Sequence, residues 1–188
     1  MSARFIEEIR CAEHGLEHQA AYLELAQREP DSHLKTSGPV HFTASAIVID
    51  QSGEHIALHL HRKVGAWLQF GGHIEPGEAR FEQAARREAL EESGLDRLER
   101  VGAGPAVLHP HDLGSGFTVC RAHWDVQYLF RAPVSVQASG NGEAVRTGLA
   151  ISERESAGLA WFPLTALPAD LVPDLHDTLR ILGLMTRR

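Results

Sequence analysis

Glu88, Glu91 and Glu92 stand at i, i+3 and i+4 in the run Arg87-Glu88-Ala89-Leu90-Glu91-Glu92-Ser93-Gly94-Leu95. In a helix that spacing gathers them into one narrow arc, where their oxygens can meet a single ion. Like charges so placed repel by about 0.2 to 0.5 kcal/mol per pair unless something positive compensates. A hard divalent cation does so: magnesium prefers oxygen ligands in an octahedron and is usually held by one or two carboxylates plus substrate phosphates. The plainer alternative is a solvated acidic face. Helical phase separates the two readings, because steps of about 100° from Phe81 place Ala84, Ala85, Glu88, Glu91 and Glu92 on one side. The acids therefore extend an apolar stripe toward the protein body or a cleft, opposite Gln83, Arg86 and Arg87. Leu90 falls on the polar side and is expected to pack against a loop or a second layer.

The segment before this helix, Gly71-Gly72-His73-Ile74-Glu75-Pro76-Gly77-Glu78, holds three glycines and a proline in eight positions and reads as a shaped loop. Such a loop lets backbone carbonyls and amides come close to a ligand. Ser93-Gly94 then supplies a left-handed cap at the helix end.

At these residues the chain resembles the Nudix hydrolases, whose box reads G, five residues, E, seven residues, R-E, an aliphatic, any residue, E-E, any residue, G, an aliphatic. Gly72 and Glu78 fit the first part; Arg87, Glu88, Glu91, Glu92, Gly94 and Leu95 fit the second. Two departures stand out: eight residues separate Glu78 from Arg87, and Ala89 replaces a larger aliphatic. The extra residue falls in Ala79 to Phe81, before the helix proper, so the phase of the three acids is unchanged while the reach of Glu78 is altered. Thr43-Ala44-Ser45-Ala46, Trp67-Leu68-Gln69-Phe70 and Trp161-Phe162-Pro163-Leu164 also look like a bacterial Nudix branch, so the resemblance covers roughly residues 40 to 185.

The resemblance implies an α+β fold, the Nudix-type α/β/α sandwich with a mixed sheet, preceded here by an N-terminal helical extension (1–38, with the Nudix domain over 39–188). It implies Mg2+, or Mn2+ in its place, held by Glu88, Glu91 and Glu92 with the Gly72 carbonyl, and catalysis by Glu91 and Glu92. Many relatives keep a water-activating or metal-binding glutamate near the position of Glu155, six residues before Trp161; Glu153 is the alternative, and two solvated loop acids the plainer reading. Arg87 would brace the acids, paired with Glu78 or Glu75, and Glu78 would support the site. The reaction implied is hydrolysis of a phosphoanhydride in a nucleoside diphosphate linked to another moiety, of nucleoside triphosphate, nucleotide sugar or dinucleotide type. The alternative is a catalytically silent nucleotide-binding sensor on the same fold.

The elements that must position these groups are legible in outline. Residues 4 to 29 read as a helical extension with apolar Phe5, Ile9, Leu16, Tyr22, Leu23 and Leu25, serving as a cap on the domain or, in second place, as a homodimer contact. Residues 41–49 and 55–61 predict strands joined by the Asp50-Gln51-Ser52-Gly53 turn, and Trp67 to Phe70 a third. After the box, 99–108 and 119–131 predict strands, the second with Trp124, Val126, Tyr128 and Phe130 at period two. Residues 159–162 offer a short last strand and Pro173 to Met185 a closing helix. Residues 132–157, rich in Ser, Gly, Asn and Glu, suggest a substrate-side loop.

Composition fits one domain: 188 residues and 43% hydrophobic content suffice for a core. A formal charge of -7 argues against a nucleic-acid groove, although Arg62, Lys63 and Arg131 could locally meet phosphates. Only Cys11 and Cys120 occur, without a secretory leader or a membrane-spanning run, which points to a reducing cytoplasm. Twelve histidines raise a zinc reading, chiefly for His109, His111, His123 and Asp125, but no tight ligand spacing supports it. His55, His59 and His61 share a strand face, as do His123 and Asp125, and packing or pocket lining is the favoured role. Trp67, Phe70 and Trp124 could stack a base, though a core position is the commoner fate of such residues.

Overall fold

The computed structural model describes residues 1–113, 120–137, 145, 147–150 and 156–185. Helices α1 (Ala3–Arg10) and α2 (Gln19–Arg28) precede strands β1 (Val40–Ile49), β2 (His55–His61), β3 (Trp67–Leu68) and β4 (Phe70–His73). Helix α3 (Phe81–Ser93) is followed by β5 (Glu99–Val101), β6 (Val107–Asp112), β7 (Ala122–Arg131), β8 (Ser156–Pro163) and α4 (Pro173–Ile181). The eight strands form one sheet in the order β3-β2-β1-β7-β5, with β4 on β1, β6 on β7 and β8 on β2. This is the α+β architecture that the resemblance implied. No helix among the described residues is long and apolar enough to cross a membrane.

The chain gathers into two compact units. The first comprises Met1–Ser45, Gly71–Arg86 and Gly102–Tyr128, and the second Ala46–Phe70, Arg87–Val101 and Leu129–Arg188. In the second, β2 pairs with β1 across the expected turn, which Asp50 organises by accepting hydrogen bonds from Ser52 Oγ and from the backbone N–H groups of Glu54 and His55. Burial alone would raise the Asp50 carboxyl; those donors instead hold it below the usual range. Strand β2 also pairs with β8 from His55↔Pro163 to His61↔Ser156, so β8 is about twice as long as the sequence suggested. Gly94 closes α3 with φ +69 and donates to Leu90 O at 3.0 Å. A Cβ there would lie 2.6 Å from Ala150 Cβ, so the cap requires glycine for both conformation and space.

The first unit shows what the N-terminal extension does. The expected single helical stretch is two helices, interrupted where Glu13 and His14 donate to Pro105 O and Ala106 O and His14 forms a parallel bridge with Val107. Phe5, Ile9, Tyr22 and Leu25 are buried, whereas Leu16 is exposed because it lies in the turn between the helices. Phe5 meets Phe81 edge to face with ring centres 4.7 Å apart. Beside it the buried Glu8 accepts the backbone N–H of Phe81 at 2.7 Å, capping the start of α3 from a different helix. Helix α3 begins at Phe81, within the Ala79 to Phe81 stretch to which the extra residue of the box was assigned.

Two other expectations changed in detail. Residues 99–108 are two short strands because Gly102 to Pro105 leaves the ladder; a Cβ on Gly104 would come within 2.5 Å of Cys11 O. Strand β7 carries Val126, Tyr128 and Phe130 on its apolar face as expected, yet its other face is buried too, with Asp125 and Gln127 inside. Period two therefore marks an apolar and a polar interior rather than an interior and an exterior.

Burial raises the Glu8 carboxyl above its ordinary value, against the opposing donation of Phe81 N–H, Tyr128 and Glu82 N–H. A raised acid contributes stability that is full below its unfolded value and fades as pH rises through the folded one. Glu8→Ala should cost about 1 to 3 kcal/mol in urea titration, because the α3 N–H groups lose their acceptor. Glu8→Gln keeps an acceptor and should gain stability relative to the parent as pH climbs from 4 to 7. An alanine variant with an unchanged midpoint would show that the cap contributes nothing.

Candidate functional site

Helix α3 presents its acids in a graded way. Its buried arc is Phe81, Ala84, Ala85, Ala89, Glu92 and Ser93. The Glu92 side chain is 8% exposed, Glu88 18% and Glu91 62%. The stripe expected to carry all three acids inward thus carries Glu92 fully, Glu88 partly and Glu91 least, because at about 100° per residue Glu91 falls on the flank of that arc. Leu90, expected to pack, is half-buried.

Arg87 ties two of these acids together. Its Nη1 lies 2.9 Å from Glu88 Oε1 and 3.4 Å from Glu91 Oε2. Two carboxylate oxygens therefore already converge on one positive nitrogen, the charge pattern that a cation-binding acidic pair requires. Glu78 folds back on its own loop, its Oε2 accepting Glu75 N–H at 2.7 Å. Gly72 lies half-buried in β4, next to Gly71, where an added Cβ would sit 2.5 Å from Ser45 Cβ. The segment expected to be a loop thus begins as strand β4, and the close neighbour of Gly71 is β1 rather than a ligand.

Glu92 has a neighbour that sequence reasoning did not single out. His59 Nδ1 is 3.8 Å from Glu92 Oε1 and 2.8 Å from Ser156 Oγ. Burial first, then the nearby His61, pushes the His59 imidazole down to about 4, so it is neutral at pH 7. The ring therefore adds no positive charge beside Glu92. The alternation of His55, His59 and His61 marked this strand face, but only the pairing of β2 with β8 brings Ser156 to it.

The proposed pocket residues have distinct fates. Asp125 is buried and accepts Thr43 Oγ1 at 2.9 Å, Ser45 Oγ at 2.5 Å and Gln127 Nε2 at 3.1 Å, so it knits β1 to β7. Phe70 is fully buried against His59, and Trp67 is half-buried with its ring edge-on to Phe162 at 4.8 Å. Trp124 stacks on Tyr22 at 5.0 Å. Arg131 donates to Gln51 O at 2.8 Å, a structural use, while Arg62 and Lys63 are exposed. Glu153 and Glu155 lie outside the described residues.

Zinc-type ligands were expected, if anywhere, at His109, His111, His123 and Asp125. Among the described residues the group brought together is a different one, His41, His73, Cys120 and His123, with one donor atom from each within 4.8 Å of the others. Of the expected set only His123 belongs to it, since Asp125 is committed to Thr43 and Ser45. The sequence signal was weak because the four come from separate segments, although His41, Thr43 and Ser45 share one face of β1.

Comparison with known proteins identifies the fold and the family. The NUDIX domain model matches residues 39–181. A 40-residue stretch is 58% identical to the oxidized purine nucleoside triphosphate hydrolase of Danio rerio, covering 20% of this chain and only 25% of that relative's length. A NUDIX-family hydrolase from Clostridium perfringens is 23% identical and superposes with a TM-score of 0.59 over 77% of this chain and 97% of that one. The E. coli dihydroneopterin triphosphate pyrophosphohydrolase is 16% identical, with a TM-score of 0.53 over 76% of this chain and 92% of its own. Those two likenesses are of fold, whereas the domain match spans most of the sequence: the chain belongs to the Nudix hydrolase superfamily.

Proposed function

We propose that the chain is a magnesium-dependent pyrophosphohydrolase, with manganese as a substitute, that cleaves a phosphoanhydride in a nucleoside diphosphate linked to another moiety. The observation that carries this reading is the convergence of Glu88 and Glu91 on Arg87 in the helix whose next acid, Glu92, is buried beside a neutral histidine. All three donors are hard oxygens suited to magnesium. When bound, the ion neutralises the diphosphate and lowers the pKa of an attacking water.

The protein's own groups divide the work. Glu92 is buried, with the uncharged His59 ring 3.8 Å away. Glu88 supplies a second, half-buried oxygen donor, and Arg87 offsets its repulsion from Glu91. Glu91 is the most exposed of the three and can reach a solvent molecule, so it is the acid we assign to proton abstraction, with Glu155 as a further candidate on the sequence pattern. Names of the compared proteins support small nucleoside triphosphate-type substrates: an oxidized purine nucleoside triphosphate for the fish relative and dihydroneopterin triphosphate for the bacterial structure.

The reading is tested on a panel of nucleoside triphosphates, nucleotide sugars and dinucleotides. Magnesium or manganese should switch product release on and chelation should switch it off. Glu92→Gln should lower turnover by about 100-fold or more, since it removes a charge from the metal face. Equal activity in parent and variant would refute the assignment, and tight nucleotide binding without product would favour the silent sensor instead. His59→Gln should raise the magnesium concentration needed for half-maximal activity by about 10-fold while leaving turnover at saturating magnesium close to the parent. A loss of turnover that excess magnesium does not restore would show that His59 does not act through the ion.

A further inference from the structure

Three imidazoles and a thiol stand together in the first unit, away from any role assigned above. His41 lies in β1, His73 at the end of β4, His123 near the start of β7 and Cys120 just ahead of β7. The ring centres of His41, His73 and His123 form a near-equilateral triangle with sides of 5.1, 5.1 and 5.2 Å. Three imidazoles bound at the usual ~2 Å in a tetrahedron have ring centres about 5 Å apart. Their donor atoms and Cys120 Sγ all fall within 4.8 Å of one another. We propose that His41, His73, Cys120 and His123 form a four-coordinate structural zinc site that ties β1, β4 and β7 together.

Several independent features fit. His41 is fully buried, and its Nδ1 contacts Gly38 O at 2.9 Å. An Nδ1–H donated to that carbonyl fixes the tautomer and leaves the Nε2 lone pair for a metal, the usual outer contact of a ligating histidine. Nε2 of His41 and Nε2 of His123 are buried and have no hydrogen-bond partner among the described residues. A buried polar atom without a partner costs about 1 to 3 kcal/mol, and a metal bond removes that cost. The backbone is built around the group as well, since Pro39 O accepts the N–H groups of Arg121 at 2.7 Å and Ala122 at 3.2 Å, joining the two ligand-bearing segments.

Exposed Lys35 adds a positive charge near His41 and His73, and Asp125 an opposing negative one near His123. Three nitrogens and one thiolate are borderline-soft donors that select zinc over magnesium, which is why this site and the glutamate helix would hold different ions. Four protein ligands leave no open position for substrate, so the role is structural. His73 directly follows Gly72, and a metal at His73 would fix the outgoing end of β4.

The full-length protein, stripped with chelator and reconstituted, provides the test. It should take up about one zinc per chain, and cobalt in its place should give tetrahedral d–d bands together with a thiolate-to-cobalt charge-transfer band. Cys120→Ser should abolish the charge-transfer band, and His123→Gln should weaken zinc binding by more than about 100-fold. Glu92→Gln should retain its zinc, separating this site from the catalytic metal. Reconstituted parent protein that stays folded but takes up no zinc, or cobalt spectra without a thiolate band, would overturn the proposal without recourse to any variant. Zinc uptake unaffected by both ligand substitutions would overturn it equally, leaving a packed cluster of neutral histidines.

Discussion

A carboxylate withdrawn from water must be held by something that does not erase its charge, and the functional half of this molecule is arranged around that constraint at Glu92. Isolated burial would favour protonation of such a group. A neutral imidazole lies beside Glu92, since His59 is itself buried, with Nδ1 2.8 Å from Ser156 Oγ. The pairing of β2 with β8 is what delivers that serine. Arg87 is set apart from this arrangement, on the flank where Glu88 and Glu91 need relief from each other.

Holding the acids in this geometry requires that α3 start and stop where it does. At its start a carboxylate from α1 accepts the first N–H group, and Phe5 packs on Phe81. At its end Gly94 turns the chain in a conformation and a space that no larger residue fits. The N-terminal extension is therefore tied by contacts to the first residue of α3.

A second buried polar layer lies in the other unit. His41, Thr43 and Ser45 face His123, Asp125 and Gln127, and Asp125 serves as acceptor for two hydroxyls and an amide. An interior of this kind is stable only when every donor and acceptor is satisfied. Asp125 meets that condition within the protein, while the imidazoles beside it meet it through an added ion. The two ends of one polar face thus take different solutions to the same desolvation problem.

The sequence by itself determined the family, the position of the acidic helix and most of the strands, because period-two runs and i, i+3, i+4 spacing are local properties of the chain; the glycines of Gly71–Gly72 misled, since they lie in β4 and not in a loop. Tertiary structure alone decided how deeply each acid is buried, since one helical arc covers Glu92 and leaves Glu91 at its edge. It alone decided that Ser156 and His59 support Glu92, that Glu8 caps α3, and that His41, His73 and His123 meet beside Cys120. These groups are separated by tens of residues, and strand pairing, which carries no short-range signature, is the force that brings them within a few ångströms.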